Sequence, residues 1–319
     1  MYRVGIDLGG TNIVCGVVNE KFEIVGKGKV KTSTPRPMEE IVDDMAKTVV
    51  MAVEDAGLTL DDIDAFGIGA PGSIDPENGT VVYSNNLGFF DLPLCEELKK
   101  RIGKEFYVEN DANAAAYGEY IAGAGKGTKN FVAVTLGTGV GGGVIIDGKI
   151  YSGSNHAGAE LGHTVIQMNG EQCTCGRHGC WEAYASATAL IRQTTQAMRR
   201  YPHGVMWDMC DNNLEKVSGR TAFEAMRKGD PIGRMVVDRY CEYVAVGIAN
   251  IVNIFQPDVV CIGGGISNEG ETLTDPICAF VEGENYGRFM DNKPEIRPAA
   301  LANDAGIIGA AYLCDLYRK

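Results

Sequence analysis

Two glycine-rich hairpins, one in each half of the chain, constrain its fold more than any other feature. Val4-Gly5-Ile6-Asp7-Leu8-Gly9-Gly10 can be laid over Val132-Ala133-Val134-Thr135-Leu136-Gly137-Thr138 at a constant offset. At the same offset Val17-Val18-Asn19 falls on Ile145-Ile146-Asp147. Each copy reads as a strand, a glycine turn and a second strand. A hairpin used once per half predicts two similar halves with their glycine turns facing one another. Chance likeness between two apolar hairpins would give the same match, so the rest of the chain has to decide.

Around the hairpins, strand and helix patterns alternate. Strands are expected over Tyr2–Ile6, Ile13–Val18, Ile63–Ile68 and Phe106–Glu109, and helices over Met38–Ala56, Leu94–Ile102 and Asn113–Ala122. That alternation predicts an α/β fold. After Trp181 the pattern is helical until one buried strand, Asp258–Ile262, which opens into Gly263-Gly264-Gly265, while Tyr201–Gly219 reads as an irregular connection. A chain of 319 residues exceeds what one core usually supports. We expect a small N-terminal domain over 1–116, rejoined by a C-terminal helix at 304–319, and a larger domain over 117–303.

Composition excludes some functions. A formal net charge of −13 and the lack of any basic stripe argue against a nucleic-acid partner. No apolar run approaches the ~20 residues that span a bilayer, and the strand pattern beginning at Tyr2 has no leader-like character. A cytoplasmic protein is expected. In that compartment its ten cysteines should be reduced or metal-bound; Cys15, Cys241, Cys261, Cys278 and Cys314 read as packing residues.

Gly137-Thr138-Gly139-Val140-Gly141-Gly142 contains a G-x-G-x-x-G string, but a strand rather than a helix follows, so a dinucleotide site is rejected. No Gly-Lys-Ser/Thr supports a Walker A loop. What remains is a pair of turns, Asp7–Asn12 and Gly137–Gly143, whose glycines let backbone N–H groups approach phosphate. Gly9, Gly10, Gly137 and Gly139 supply the backbone, and Thr11, Asn12 and Thr138 add side-chain donors. Asp7 ends the first strand and suits Mg²⁺ held through water. Gly264 and Gly265 offer a flat surface for a nucleoside, although close strand–helix packing would also call for them.

Cys173, Cys175 and Cys180, with an imidazole, make a tetrahedral Zn²⁺ set that leaves no open position, hence a structural site. Gly176 and Gly179 suggest a turn wrapped around the ion, and both His163 and His178 compete for the fourth place. Glu160 and Glu182, tied closely in sequence to this cluster, are candidates to accept hydrogen bonds from a hydroxylated ligand. Asp111 sits where a strand gives way to a helix, a position that suits either an N-cap or a catalytic carboxylate.

Asp7-Leu8-Gly9-Gly10-Thr11-Asn12, Leu136–Gly142, Glu109-Asn110-Asp111-Ala112-Asn113, Ala157-Gly158-Ala159-Glu160-Leu161-Gly162-His163, Cys173–Glu182, Gly263–Gly265 and Asp304–Ala311, in that set, resemble the ROK family of sugar kinases and repressors. Within the family the chain looks most like bacterial glucokinases. The resemblance implies an actin-like, ribonuclease-H-like pair of domains closing over sugar and ATP. It implies phosphorylation of glucose at its 6-hydroxyl, with other hexoses (fructose, mannose, N-acetylated aminosugars) as alternatives. It makes Asp111 the base and places Asn110 on the sugar beside it. It selects His163 over His178 as the fourth zinc ligand and puts Glu160, His163 and Glu182 on sugar hydroxyls. Ala70-Pro71-Gly72 and Ser84-Asn85-Asn86-Leu87 match further sugar contacts, assigned to Gly72 and Asn86 with Asn85 as rival. A homodimer or homotetramer is implied as well. A repressor would need a DNA-binding segment ahead of Tyr2, and a non-catalytic assembly protein would have no use for Glu160, Glu182 and the cysteines.

Overall fold

A computed structural model describes residues 1–318. In chain order the elements are β1 (Tyr2–Leu8), β2 (Asn12–Asn19), β3 (Ile24–Lys31), α1 (Met38–Asp55), β4 (Ile63–Ala70), β5 (Ser73–Asp75), β6 (Thr80–Ser84), β7 (Phe89–Leu92), α2 (Leu94–Ile102), β8 (Phe106–Asn110) and α3 (Asp111–Ala122). There follow β9 (Phe131–Leu136), β10 (Val140–Ile146), β11 (Lys149–Ile150), α4 (Glu182–Ala185), α5 (Ala187–Arg200), α6 (Val205–Met209), α7 (Thr221–Arg227) and α8 (Pro231–Phe255). The chain ends with β12 (Val259–Gly263), α9 (Glu271–Glu284), β13 (Glu295–Pro298), α10 (Ala305–Ala311) and α11 (Cys314–Tyr317). It divides into two compact units. The first holds Met1–Val132, Gly143–Ala159 and the chain from Ala300 onward; the second holds Ala133–Gly142 and Glu160–Ala299.

The first unit is built on a five-stranded sheet in the order β3-β2-β1-β4-β8. β1 and β2 form the hairpin read in the sequence, antiparallel from Tyr2↔Asn19 to Leu8↔Ile13. β1 runs parallel to β4, with Ile6 opposite Ile68, and β4 parallel to β8, with Ile68 opposite Val108. The carboxyl ends of three parallel strands therefore lie along one edge, where α/β proteins collect their ligands. Asp7, next to last in β1, and Ala70 and Asn110, which close β4 and β8, end up on that edge. Val4, Ile6, Ile68 and Val108 are fully buried and pack with Ile41, Met45 and Val49 of α1. A separate antiparallel sheet, β5-β6-β7, follows β4.

Glycine permits the closest approaches. A Cβ on Gly5 or Gly67 would stand 1.9 Å from a carbonyl oxygen of α10, and one on Gly309 of α10 would stand 1.7 Å from Ala114 O of α3. The C-terminal helix thus lies backbone against backbone on β1, β4 and α3. β3 was not foreseen: Gly26 and Gly28 interrupt its apolar pattern because the backbone of α1 crosses there, 2.4 Å from where each Cβ would be. β5, β6, β7 and β13 were also unread, being short and weakly alternating.

The other five-stranded sheet is ordered β11-β10-β9-β12-β13, with β12 and β13 parallel. In both sheets the strand that opens the hairpin has its partner on one side and a later strand on the other, so the sequence repeat has a structural counterpart. Tyr201–Gly219 is less irregular than expected. It contains α6, tethered by the Trp207 indole N–H, which donates to Met198 O and Tyr201 O, both at 2.9 Å.

Candidate active site

In the first unit, α3 begins at Asp111, two residues before the expected Asn113, because Asn110 caps it. Asn110 Oδ1 accepts the N–H of Ala112 at 3.0 Å and of Asn113 at 3.2 Å. Its Nδ2 donates to Gly72 O at 3.2 Å. This answers the competing reading of Asp111. The cap is its neighbour, and the Asp111 carboxyl accepts the local Ala112 N–H at 2.9 Å. Burial raises its pKa, opposed by that backbone bond and by Asn110. A carboxylate left out of the cap, its pKa raised by burial, is suited to take a proton.

Asp7 shares the edge. Its carboxyl is pushed up to about 6, first by burial and then by the negative charge of Asp111. Two carboxylates crowded together with oxygen donors alone fit a hard divalent cation. Gly72 has φ +111°, and a Cβ there would stand 2.1 Å from Tyr83 O, so only glycine fits this turn. The rival asparagines diverge. Asn85 Oδ1 accepts the Tyr83 hydroxyl at 3.2 Å, whereas the Asn86 Cβ faces Gly10, 4.0 Å from where a Cβ would be. The first glycine turn is cinched by Gly9 N–H to Asn12 O at 2.9 Å and by the Thr32 hydroxyl, which donates to Gly9 O at 2.6 Å. Thr11 is exposed beside it.

In the second unit the turn closes through Gly137 N–H to Gly139 O at 3.0 Å, leaving Thr138 exposed. Space is open where Gly137 and Gly265 lack side chains, which leaves room for a ligand. Gly264 also packs closely: at φ +87° its Cβ would stand 2.5 Å from Leu136 O.

His163, Cys173, Cys175 and Cys180 come together, with all their potential ligand atoms within 4.8 Å of one another. His178 stays outside, its Nδ1 3.2 Å from Gly170 O. Gly176 and Gly179 both have positive φ, and Gly179 passes so close to Gln167 O that a Cβ would stand 1.8 Å away. The cysteine loop is therefore a glycine-turned wrap, as its spacing suggested. Three thiols and an imidazole fit a tetrahedral metal ion with no open position. Next to Cys180, the fully buried Trp181 packs on Gly247 of α8 and donates its indole N–H to Tyr243 O at 2.9 Å. That anchor fixes Glu182. Its Oε2 accepts Val140 N–H at 3.0 Å, and its Oε1 accepts the Thr174 hydroxyl at 3.1 Å. One carboxylate thus joins the glycine turn to the cysteine loop. Glu160 is exposed, and the chain from it to His163 rests on Val140 through Gly162, whose Cβ would stand 2.2 Å from Val140 O.

Sequence reasoning missed Glu109, Thr174 and Ser84. Glu109 is buried at the end of β8 and Ser84 at the end of β6, where its hydroxyl has no partner among the described residues. A charged residue closing an otherwise buried strand was the available signal for Glu109.

Comparison with known proteins agrees in both sequence and fold. The sequence model of the ROK family matches residues 3–316. A glucokinase of Thermotoga maritima is 40% identical over 309 residues, 97% of this chain and 95% of that protein. A glucokinase of Streptomyces coelicolor is 39% identical over 315 residues, 97% of this chain and 96% of that one. A solved ROK family glucokinase from Streptomyces griseus, in complex with glucose and AMPPNP, superposes with a TM-score of 0.80 at 37% identity, covering 100% of this chain and 99% of that chain.

Proposed function

The chain belongs to the ROK family and has its actin-like α/β fold, and from that premise we propose that it is an ATP-dependent glucokinase that phosphorylates glucose at the 6-hydroxyl. The observation that carries the mechanism is the division of labour at Asn110 and Asp111: one residue caps α3 and the other is left to act as base.

Asp111 accepts the proton of the 6-hydroxyl as its oxygen attacks the γ-phosphorus. The new O–P bond forms while the bond to the bridging oxygen breaks, and ADP leaves with that electron pair. Asn110, Gly72 and Asn86, together with Glu160, His163 and Glu182, are assigned to the sugar hydroxyls. Gly9, Gly10, Thr11 and Asn12, with Gly137, Thr138 and Gly139, are assigned to the phosphates, and Gly264 and Gly265 to the nucleoside. Asp7 would hold Mg²⁺, which neutralises phosphate charge when bound. His163, Cys173, Cys175 and Cys180 would hold one Zn²⁺, whose part is to fix the loop around Glu182. All ten cysteines are free thiols in this structure, which suits a reducing cytoplasm. No described helix is long and apolar enough to cross a membrane.

Glucose is supported over other hexoses by the curated relatives of T. maritima and S. coelicolor, both glucokinases. A coupled ADP-release assay over glucose, mannose, fructose, N-acetylglucosamine and N-acetylmannosamine tests the choice. Glucose should give the highest kcat/KM; turnover of N-acetylmannosamine with none of glucose would defeat it.

A further inference from the structure

Glu109 is 2% exposed at the end of β8, and among the described residues no ion pair involves it. A buried carboxylate without a cation needs neutral donors, and three are present. Oε1 accepts the Asn110 backbone N–H at 2.7 Å and the Asn113 side-chain amide at 3.1 Å. Oε2 accepts the Tyr317 hydroxyl, from a residue 208 positions away in sequence. Two of the donors belong to the turn that carries Asp111. The Asn110 N–H lies one peptide before it, and Asn113 stands in the first turn of α3, whose own N–H Asn110 caps.

The third donor is held firmly. On one side of Tyr317, Arg3 Nη1 of β1 pairs with Asp315 Oδ2 at 2.8 Å; on the other, Arg318 Nη2 donates to Asp64 O of β4 at 2.8 Å. Burial and the neighbouring Glu109 charge push the Tyr317 phenol up, so it stays protonated and donates.

We propose that Glu109 and Tyr317 are positioning residues for Asp111: the phenol at the end of the chain fixes a buried carboxylate, and that carboxylate fixes the peptide from which the base projects. The inference rests on the assignment of Asp111 as base. Its consequence is that the C-terminal segment sets the alignment of a reacting group it never touches. Small misplacements of a base cost rate more than binding.

The test is Tyr317→Phe in the full-length chain. Loss of the hydroxyl leaves one buried oxygen of Glu109 without a donor, and kcat should fall by about tenfold with both KM values held within about twofold. Glu109→Met, similar in shape and unable to accept, should lose about 100-fold in kcat, and Glu109→Gln, which can accept from Asn110 and donate to Tyr317, should restore most of that loss. Unchanged kcat in Tyr317→Phe, a lowered melting temperature without a change in kcat, or a rise in KM alone would overturn the proposal. Should Tyr317→Phe not fold, the Glu109 pair decides, and equal kcat for Met and Gln overturns it. Asp111→Ala is the control: if it is inactive while Tyr317→Phe is unaffected, only the positioning role fails, whereas an active Asp111→Ala removes the base assignment itself.

Discussion

Asp7→Asn should make the ligand-free protein more stable at neutral pH while disabling it as a kinase. The Asp7 carboxyl is pushed from 3.8 to about 6 by burial and by Asp111. Below pH ~4 both the folded and unfolded states carry it protonated, and it costs nothing. As pH rises the unfolded chain ionises first, so folding loses stability until the folded carboxyl ionises near 6, after which the deficit is constant. Two units at 1.36 kcal/mol each give about 3 kcal/mol, and partial exposure of the carboxyl brings this to about 2–3 kcal/mol. Asn, nearly the same shape without the charge, escapes that deficit. For a unit of this size the gain corresponds to a rise in Tm of roughly 4–12 °C. Differential scanning fluorimetry of both proteins from pH 4 to 8, without Mg²⁺ or nucleotide, reads it directly. The Tm difference should be absent near pH 4, open between 4 and 6, and plateau above. A difference that is the same at pH 4 and 7.5, or an Asn variant less stable at 7.5, would refute the account of a strained carboxylate pair.

Other perturbations separate the remaining parts. Metal analysis of purified protein should find about one Zn²⁺ per chain, and a metal-free protein of full activity would remove the structural brace. Gly139→Ala drives a Cβ to within 2.4 Å of Oε2 of Glu182, a carboxylate held in place by Val140 at Oε2 and by Thr174 at Oε1; the KM for glucose should rise about tenfold as the carboxylate is displaced, and an unchanged KM would free Glu182 from the sugar. Gly67→Ala puts its Cβ 1.9 Å from Ala310 O, an overlap of backbone that should cost more than about 3 kcal/mol and show as lost soluble expression or a collapsed Tm.

Much of the site was legible because it depends on residue types at strand ends. Asp7 stands one residue from the end of β1, Asn110 closes β8, and the cysteine spacing with Gly176 and Gly179 by itself describes a wrapped loop. Where sequence reasoning weighs an N-cap against a base for Asp111, the folded chain gives the cap to Asn110, a distinction of side-chain geometry that no spacing contains. β3 was hidden because Gly26 and Gly28 are there for a helix packed over the strand, a tertiary demand that erases the local pattern. Glu109 escaped for the complementary reason: its third donor, Tyr317, is remote in sequence, so only the folded chain reveals why a charge can be buried there.

The central claim is that Asp111 takes the proton in phosphoryl transfer to glucose. Steady-state turnover of Asp111→Ala, measured beside glucose binding by calorimetry, tests it most directly. General-base catalysis contributes about 10²–10⁴-fold, so kcat should fall by at least that range while the protein still binds glucose. Turnover within a few-fold of the parent protein, with glucose binding intact, would contradict the claim.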